Sequence, residues 1–250
     1  MAAAQGRDIV SLRILELFSG TESVSNAFRE RGHECVTLDY NRKFNPTFCM
    51  DIRDFSVDML DDKKIDVIWA SPDCTTFSVL SVYHYWYADS KFPKRRETLK
   101  GIENVMIIID LLKEIRPKAW FIENPRAMMR NLPMLSGMDR KTVTYCSYGH
   151  YAMKPTDIWT NCTAFVPKKL CRNSNPLCHH EKGHTGAPNY GTQSDDTESE
   201  ERSKIPYELC CDIVRASESY IERGGGYWLY KQDIMRQTSL QNEWEAAHVE

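Results

Sequence analysis

Residues 15–28 read LELFSGTESVSNAF, and this stretch decides the fold. It continues an apolar run that begins at Leu12 and predicts a buried strand over 12–18. After the turn, apolar residues recur at helical spacing, at Val24, Ala27 and Phe28. A buried strand that turns directly into an amphipathic helix is typical of an α/β sheet with crossover helices.

The turn between this strand and this helix is a candidate binding site. Open α/β sheets bind ligands at the carboxyl ends of their strands, which is where Gly20 stands. A glycine there lets a ligand approach the backbone closely. An ordinary helix cap at Thr21 or Ser23 explains the same residues equally well, so the turn alone does not identify a function.

The same alternation continues through the first half of the chain. Apolar, β-rich runs predict strands over 34–40, 65–70 and 118–122, and apolar residues at helical spacing predict a helix over 97–115. A further helix is expected to begin near Pro206. Together these elements predict an α/β fold with a parallel sheet.

Length and composition limit the class of protein. The chain has 250 residues, of which 42% are hydrophobic, enough for one principal domain with an appendage. Its net charge of −3 excludes a global basic field, so nucleic-acid contacts must come from local patches. No apolar run approaches the roughly 20 residues that span a bilayer. The start lacks a signal-peptide pattern, and we expect a soluble, intracellular protein with reduced cysteines and no membrane contact.

A change of composition divides the chain. Residues 161–204 are rich in Asn, Gly, Pro, Cys and His and have no sustained period, which indicates an irregular insertion. Within it, the acidic run SDDTESEER at 194–202 is typical of a solvated loop. Residues 1–160 and 205–250 are therefore expected to form the main domain, and no oligomeric state is indicated.

Chemistry-bearing residues follow three of the predicted strands. Asp39 ends the second strand, where such folds place an acid on ribose hydroxyls. Cys74 follows 65–70 and is positioned for attack, although a lone cysteine is more often a small buried apolar residue. Glu123 and Asn124 follow 118–122, and a carboxyl after an apolar strand can stay protonated and act as an acid.

These segments, in this order, resemble the DNA (cytosine-5)-methyltransferase family. The resemblance is carried by ELFSGTESVSNAF at 16–28, Asp39, Asp51-Ile52, SPDCTTFS at 71–78 and FIENP at 121–125. It covers roughly the first 160 residues and implies the Rossmann-like fold of S-adenosylmethionine-dependent methyltransferases. The implied activity is methyl transfer to C5 of cytosine, with DNA as the partner.

The resemblance also implies where the cofactor S-adenosylmethionine binds. The family's positions correspond here to Phe18, Gly20, Thr21, Glu22, Asp39, Tyr40, Asp51, Ile52 and Pro72. By the same resemblance, Asp39 binds the ribose, and Asp51 and Ile52 contact the adenine. The chain departs from the family's pattern at Glu22, where a second glycine is usual, and at Asp73, where proline is usual.

The family's catalytic residues correspond to Cys74 as nucleophile and Glu123 as acid, with Asn124 shaping the turn. Cytosine C5 is a poor nucleophile. Thiolate addition at C6, with Glu123 hydrogen-bonded at N3, makes C5 reactive toward the methyl donor. The target base must leave the duplex to be reached. In SYGHYAMKPTDIWTN at 147–161, Lys154 is the expected basic group near the base.

The insertion offers a candidate metal site. The stretch CRNSNPLCHHEKGHTG at 171–186 holds the possible zinc ligands Cys171, Cys178, His180 and His184. The six-residue gap between the cysteines is wider than the usual zinc spacing. Surface histidines and incidental thiols are the alternative interpretation.

Two further segments are candidate nucleic-acid contacts. The aromatic and basic block at 82–101, which includes Lys91, could stack on bases and hold phosphates, or could be a packed cluster with a solvated edge. Lys168, Lys169 and Arg172 are the expected DNA contacts of the insertion, unless they are ordinary solvated charges. Two alternatives to a DNA methyltransferase stay open: a catalytically weak binding protein on the same scaffold, and a methyltransferase acting on RNA or a free nucleotide.

Overall fold

The computed structural model describes residues 11–61, 64–87, 92–172, 175–180, 203–231 and 233. A seven-stranded sheet in the order β3-β2-β1-β4-β5-β7-β6 forms its centre. The strands are β1 (Arg13–Leu17), β2 (Glu34–Asp39), β3 (Phe48–Cys49), β4 (Val67–Ala70), β5 (Ala119–Pro125), β6 (Arg140–Thr144) and β7 (Pro155–Thr160).

The first five strands run parallel, while β7 is antiparallel to both of its neighbours. The register places Leu38, Leu17, Ala70 and Ile122 in one row across β2, β1, β4 and β5. Because these strands are parallel, the residues that follow each member of this row emerge at the same edge of the sheet. This row fixes the position of the functional site.

Helices cover both faces of the sheet. The longer ones are α1 (Ser23–Arg29), α3 (Arg96–Ile115) and α4 (Tyr207–Glu222), and the short α2 spans Val82–Tyr85. Apolar residues of α3 pack in a core with Leu15, Leu17 and Ile68, while α1 and α4 share the opposite core with Ile14, Val67 and Phe121. Burial on both faces explains why the parallel strands read as continuous apolar runs.

The structure confirms the predicted α/β fold, and the predicted strands and helices occur close to their expected positions. The helix predicted over 97–115 is α3, and the one expected near Pro206 is α4, which begins at the next residue. Strands β3, β6 and β7 were not predicted as separate elements. Among the described helices, none is long and apolar enough to cross a membrane.

Part of the predicted insertion is described, namely 161–172, 175–180 and 203–204. It lies against the single turn of 3-10 helix at Tyr145–Tyr148 that follows β6, since Ser147 Oγ donates to the carbonyl of Lys169 at 3.0 Å. The acidic run at 194–202, Lys91 and His184 lie outside the described residues. The division into a main domain and an insertion stays a prediction.

Candidate functional site

The carboxyl ends of four parallel strands open onto one cavity of about 450 Å³. The predicted site residues that line it are Phe18, Gly20, Thr21, Asp39, Tyr40, Pro72, Cys74, Glu123 and Lys154. An adjoining groove of about 560 Å³ shares Thr21, Ser23 and Ile205 with this cavity, and its lining does not include Asp39, Cys74 or Glu123. The chemistry therefore belongs to the smaller cavity.

Four predicted site residues do not line this cavity. The Glu22 carboxylate accepts from the Thr37 hydroxyl at 2.9 Å and pairs with Arg29. Asp51 accepts the backbone N–H of Arg53 at 3.0 Å, and hydrogen bonds from Arg53 lower the pKa of its carboxyl to about 2. Ile52 is buried in the core. Asn124 is also buried, and its side chain contacts the carbonyl of Pro72.

Asn124 joins two of the strand ends. Its side-chain amide donates to the carbonyl of Pro72 at 2.9 Å, which links the end of β5 to the turn that follows β4. That turn continues into Cys74, whose carbonyl accepts the N–H groups of Phe77 and Ser78 at 3.0 and 2.9 Å. The backbone at Cys74 is therefore held from both sides.

Asp39 joins the other two strand ends. Its carboxylate accepts the N–H of Gly20 at 2.9 Å and the N–H of Asn41 at 2.8 Å. Gly20 has φ +46°, a conformation that favours glycine, and a Cβ placed there would meet no atom within 4 Å. The turn after β1 is thus held by Asp39, and the backbone of Gly20 stays accessible from the cavity.

A buried acid, Glu16, supports the start of α1. Neither Thr21 nor Ser23 caps this helix: its N-cap is Glu22, which has φ 56° and makes no side-chain cap hydrogen bond. Instead, Glu16 Oε2 accepts the N–H of Ser25 at 2.8 Å. Burial raises the pKa of Glu16 to about 7. Glu16 is not among the predicted site residues, although an acid inside an apolar strand run was a usable signal.

Cys74 is a thiol at rest. Burial raises its pKa to about 11, the positive charge of Lys154 opposes that effect, and the negative charges of Asp73 and Glu123 add to it. A thiolate is the nucleophilic form of cysteine, so Cys74 must lose a proton before it can react. Lys154 is placed to favour that loss.

Glu123 is 5% exposed, and burial raises the pKa of its carboxyl. The hydroxyl of Tyr145 donates to Glu123 Oε1 at 2.9 Å, and this hydrogen bond, like the charge of Lys154, acts in the opposite direction. Tyr145 itself is fully buried in the 3-10 turn after β6. No local motif marks Tyr145, which is why the sequence analysis missed it.

Lys154 reaches the cavity from the residue before β7. Its ammonium lies 4.6 Å from the centroid of the Tyr145 ring, within the range of a cation–π contact. Lys154 has φ 30° and Phe18 has φ 58°, both in the left-handed region that residues with a Cβ rarely adopt. Such backbone strain is concentrated at functional sites, and both residues line the cavity.

The aromatic and basic block after Cys74 has two parts. Trp86 is buried and its Nε1–H donates to the carbonyl of Thr76 at 2.7 Å, which anchors the block to the turn after Cys74. Tyr83, Tyr87 and Phe92 are exposed. The packed-cluster interpretation therefore holds for Trp86, and contact of the exposed residues with nucleic acid stays a prediction.

The insertion brings together Cys171, Cys178 and His180, three of the four predicted zinc ligands. The fourth member of their cluster is Cys146, which the sequence analysis did not consider because it lies far upstream in the chain. Of the predicted DNA contacts, Lys168 forms an ion pair with Glu208 on α4, and its ammonium lies 4.8 Å from the centroid of the Tyr148 ring.

The C-5 cytosine-specific DNA methylase family matches residues 12–132. A probable DNA (cytosine-5)-methyltransferase of Frog virus 3 (isolate Goorha) is 31% identical over 169 residues, which cover 63% of this chain and 74% of the viral protein.

Solved structures also resemble the chain. An Entamoeba histolytica methyltransferase, EhMeth, has 13% identity and a TM-score of 0.42 over 70% of this chain. A mutant of Spodoptera frugiperda DNMT2 has 19% identity and a TM-score of 0.39 over 60% of this chain. The chain spans 58% and 49% of these two solved chains.

Proposed function

This chain belongs to the C-5 cytosine-specific DNA methylase family, and from that premise we propose that it methylates C5 of cytosine in DNA. In this proposal Cys74 is the nucleophile, Glu123 the acid, and S-adenosylmethionine the methyl donor. The observation that carries the proposal is the convergence of Cys74, Glu123 and the Asp39-held turn of Gly20 on one cavity.

The residues at the ends of β1 and β2 fit the expected cofactor. Backbone atoms at Gly20 are accessible, and the Asp39 carboxylate retains lone pairs beyond the two N–H groups that it accepts. Phe18 and Tyr40 add aromatic surface to the same wall. Cavities of a few hundred Å³ are of the size that holds small molecules. Bound there, S-adenosylmethionine would supply an electrophilic methyl group.

Cys74 and Glu123 activate the cytosine ring. Addition of the Cys74 thiolate to C6 places electron density on the ring, and the protonated Glu123 carboxyl, donating to N3, stabilises it. C5 then becomes nucleophilic. After C5 has been methylated, loss of its proton and cleavage of the C6–S bond release the base and restore Cys74.

The raised pKa of Glu123 suits its proposed role as the acid, whereas the raised pKa of Cys74 has to be overcome before it can act as the nucleophile. A buried Glu123 keeps its proton at a pH where an exposed glutamate has lost it, so it can donate at N3. Lys154 favours the thiolate of Cys74, which burial otherwise disfavours. Asn124 acts as a positioning residue, because its hydrogen bond to Pro72 links the strand ends that bear Glu123 and Cys74.

Exposed aromatic residues favour a polymer substrate. Tyr83, Tyr87 and Phe92 lie in the block anchored by Trp86 next to the turn after Cys74. Aromatic side chains stack on unpaired bases, and a cytosine must leave the duplex to reach the half-buried thiol of Cys74. The insertion would add contacts through Lys169 and Arg172, whereas Lys168 is paired with Glu208.

The experiment that tests this proposal incubates the protein with S-adenosylmethionine labelled in the methyl group. DNA, RNA and dCMP are offered in parallel, and the products are digested to nucleosides. Labelled 5-methyldeoxycytidine from DNA alone is the expected result. Label in RNA or dCMP would indicate the alternative substrates, and no label in any of them would favour a binding protein on the same scaffold.

A further inference from the structure

Three thiols and one imidazole meet outside the proposed active site. The donor atoms of Cys146, Cys171, Cys178 and His180 all lie within 4.8 Å of one another. Cys146 belongs to the 3-10 turn after β6, whereas the other three residues belong to the insertion. The cluster therefore connects two parts of the chain that are distant in sequence.

One distance within the cluster matches a tetrahedral zinc site. Zinc binds cysteine sulfur at about 2.3 Å and histidine nitrogen at about 2.0–2.1 Å, so a sulfur and a nitrogen ligand lie about 3.6 Å apart. Cys171 Sγ and His180 Nδ1 are 3.6 Å apart. Three cysteines and one histidine are also a common ligand set of structural zinc sites.

Burial makes the same cluster costly without a metal. Cys146 is 3% exposed and His180 is 2% exposed, while Cys171 and Cys178 are half-buried. Thiols are weak hydrogen-bond partners for a buried imidazole such as that of His180. A disulfide would use only two of the three sulfurs. A metal ion uses all four donors.

The chain around the cluster is already joined by hydrogen bonds. The N–H of Cys171 donates to Thr144 Oγ1 at 2.9 Å, and His179 Nε2 lies 3.0 Å from the carbonyl oxygen of His150. These contacts bring the insertion to the end of β6 and leave the four donors facing one another. These two hydrogen bonds hold the chain at Cys171 and beside His180.

From these observations we propose that Cys146, Cys171, Cys178 and His180 bind one zinc ion, which fastens the insertion to the 3-10 turn after β6. The proposal replaces His184 of the sequence-based set with Cys146. It does not depend on the methyltransferase reaction, because none of the four proposed zinc ligands lines the cavity that contains Cys74 and Glu123. A structural zinc ion would hold the described residues 175–180, which have little apolar content, against the 3-10 turn.

The proposed zinc site and the proposed active site are connected by two neighbouring residues of the chain. Cys146 directly follows Tyr145, whose hydroxyl donates to Glu123. Fixing Cys146 fixes the backbone of the 3-10 turn and so limits the positions that Tyr145 can take.

Metal analysis of the full chain tests the proposal. The protein is purified under reducing conditions without chelator, and its zinc is measured by mass spectrometry. We expect one zinc ion per chain, and after exchange with cobalt(II) a tetrahedral spectrum with thiolate charge-transfer absorption. Cys178→Ser should weaken zinc binding at least tenfold. Cys49→Ser, which changes an exposed cysteine outside the cluster, should leave it unchanged.

A second pair of variants distinguishes the two ligand sets. Cys146→Ser should lose the metal, and His184→Ala should retain it; the reverse result would overturn the assignment of Cys146. If Cys146→Ser does not fold, the proposal is tested by the cobalt spectrum of the wild type and by the metal content of Cys178→Ser. A reduced wild-type protein that binds neither zinc nor cobalt, or a Cys178→Ser variant with unchanged affinity, would overturn the proposal.

Discussion

The hydroxyl of Tyr145 donates a hydrogen bond to Glu123 Oε1 at 2.9 Å, and both side chains are buried. Tyr145 follows β6 and Glu123 lies on β5, so the contact crosses β7, which separates these strands in the sheet. The hydrogen bond orients the carboxyl and lowers its pKa, against the larger effect of burial. Tyr145 is therefore a positioning residue for the proposed acid.

Tyr145→Phe is expected to raise the pKa of Glu123, because it removes a donor that stabilises the carboxylate. Carbon-13 NMR of glutamate-labelled protein measures that pKa, with Glu123→Gln identifying the signal. Methylation near neutral pH should fall about three- to tenfold, as expected from losing one orienting hydrogen bond of about 1 kcal/mol. Tyr148→Phe is the matched control and should change neither quantity. An unchanged Glu123 pKa in Tyr145→Phe would contradict the account.

Cys74 should be alkylated slowly by iodoacetamide, since its pKa of about 11 leaves little thiolate at neutral pH. Its rate should rise about tenfold per pH unit between pH 7 and 9. Lys154→Met should slow the reaction several-fold, because the lost charge raises the pKa of Cys74 further. Peptide mass spectrometry measures the rate, with the exposed Cys49 as internal reference and Lys168→Met as control. Faster alkylation in Lys154→Met would contradict the assigned role of Lys154.

Glu16 should make the protein less stable as the pH rises. Its folded-state pKa of about 7 lies above the ordinary value of 4.5, so its stabilising contribution is complete below about pH 4.5 and is lost as the pH rises through about 7. The loss amounts to about 3 kcal/mol. Urea unfolding from pH 4 to 8 measures it. Glu16→Gln should flatten this dependence, whereas Glu103→Gln, a change of an exposed glutamate, should not. Equal slopes in wild type and Glu16→Gln would disprove the assigned pKa.

Asp39→Ala should weaken the binding of S-adenosylmethionine by about 1.5–3 kcal/mol, the usual contribution of charge-assisted hydrogen bonds. Two causes act together, since the variant loses a carboxylate in the cavity and releases the N–H groups of Gly20 and Asn41. Calorimetry gives the affinity. Asp110→Ala, which changes an exposed residue of α3, is the control. An affinity equal to that of the wild type would place the ribose elsewhere.

Local sequence patterns predicted the part of the site that lies at the carboxyl ends of the parallel strands. Leu17, Leu38, Ala70 and Ile122 share one row, so knowing the strands was enough to bring Asp39, Cys74 and Glu123 to one edge. The apolar runs were visible because both faces of the sheet are buried.

The rest of the site depends on contacts between distant parts of the chain. Tyr145 meets Glu123 and Cys146 meets Cys171 only because β6 and β7 pair and the insertion folds onto the turn after β6. Neither pair has a fixed spacing in the sequence. Glu16 could have been noticed, since a buried acid in a strand needs a hydrogen-bond partner. Its partner is the backbone N–H of Ser25, which no side-chain pattern in the sequence marks.

Covalent trapping on DNA containing 5-fluorocytosine tests the central claim most directly. Release of the base requires removal of a proton from C5, and 5-fluorocytosine carries fluorine there instead of hydrogen. The C6–S bond formed by Cys74 should therefore persist once the methyl group has been transferred. With S-adenosylmethionine present, the account predicts a stable protein–DNA adduct whose cross-linked peptide contains Cys74, and none with Cys74→Ala. An adduct on another residue, or no adduct although the cofactor and DNA are bound, would contradict it.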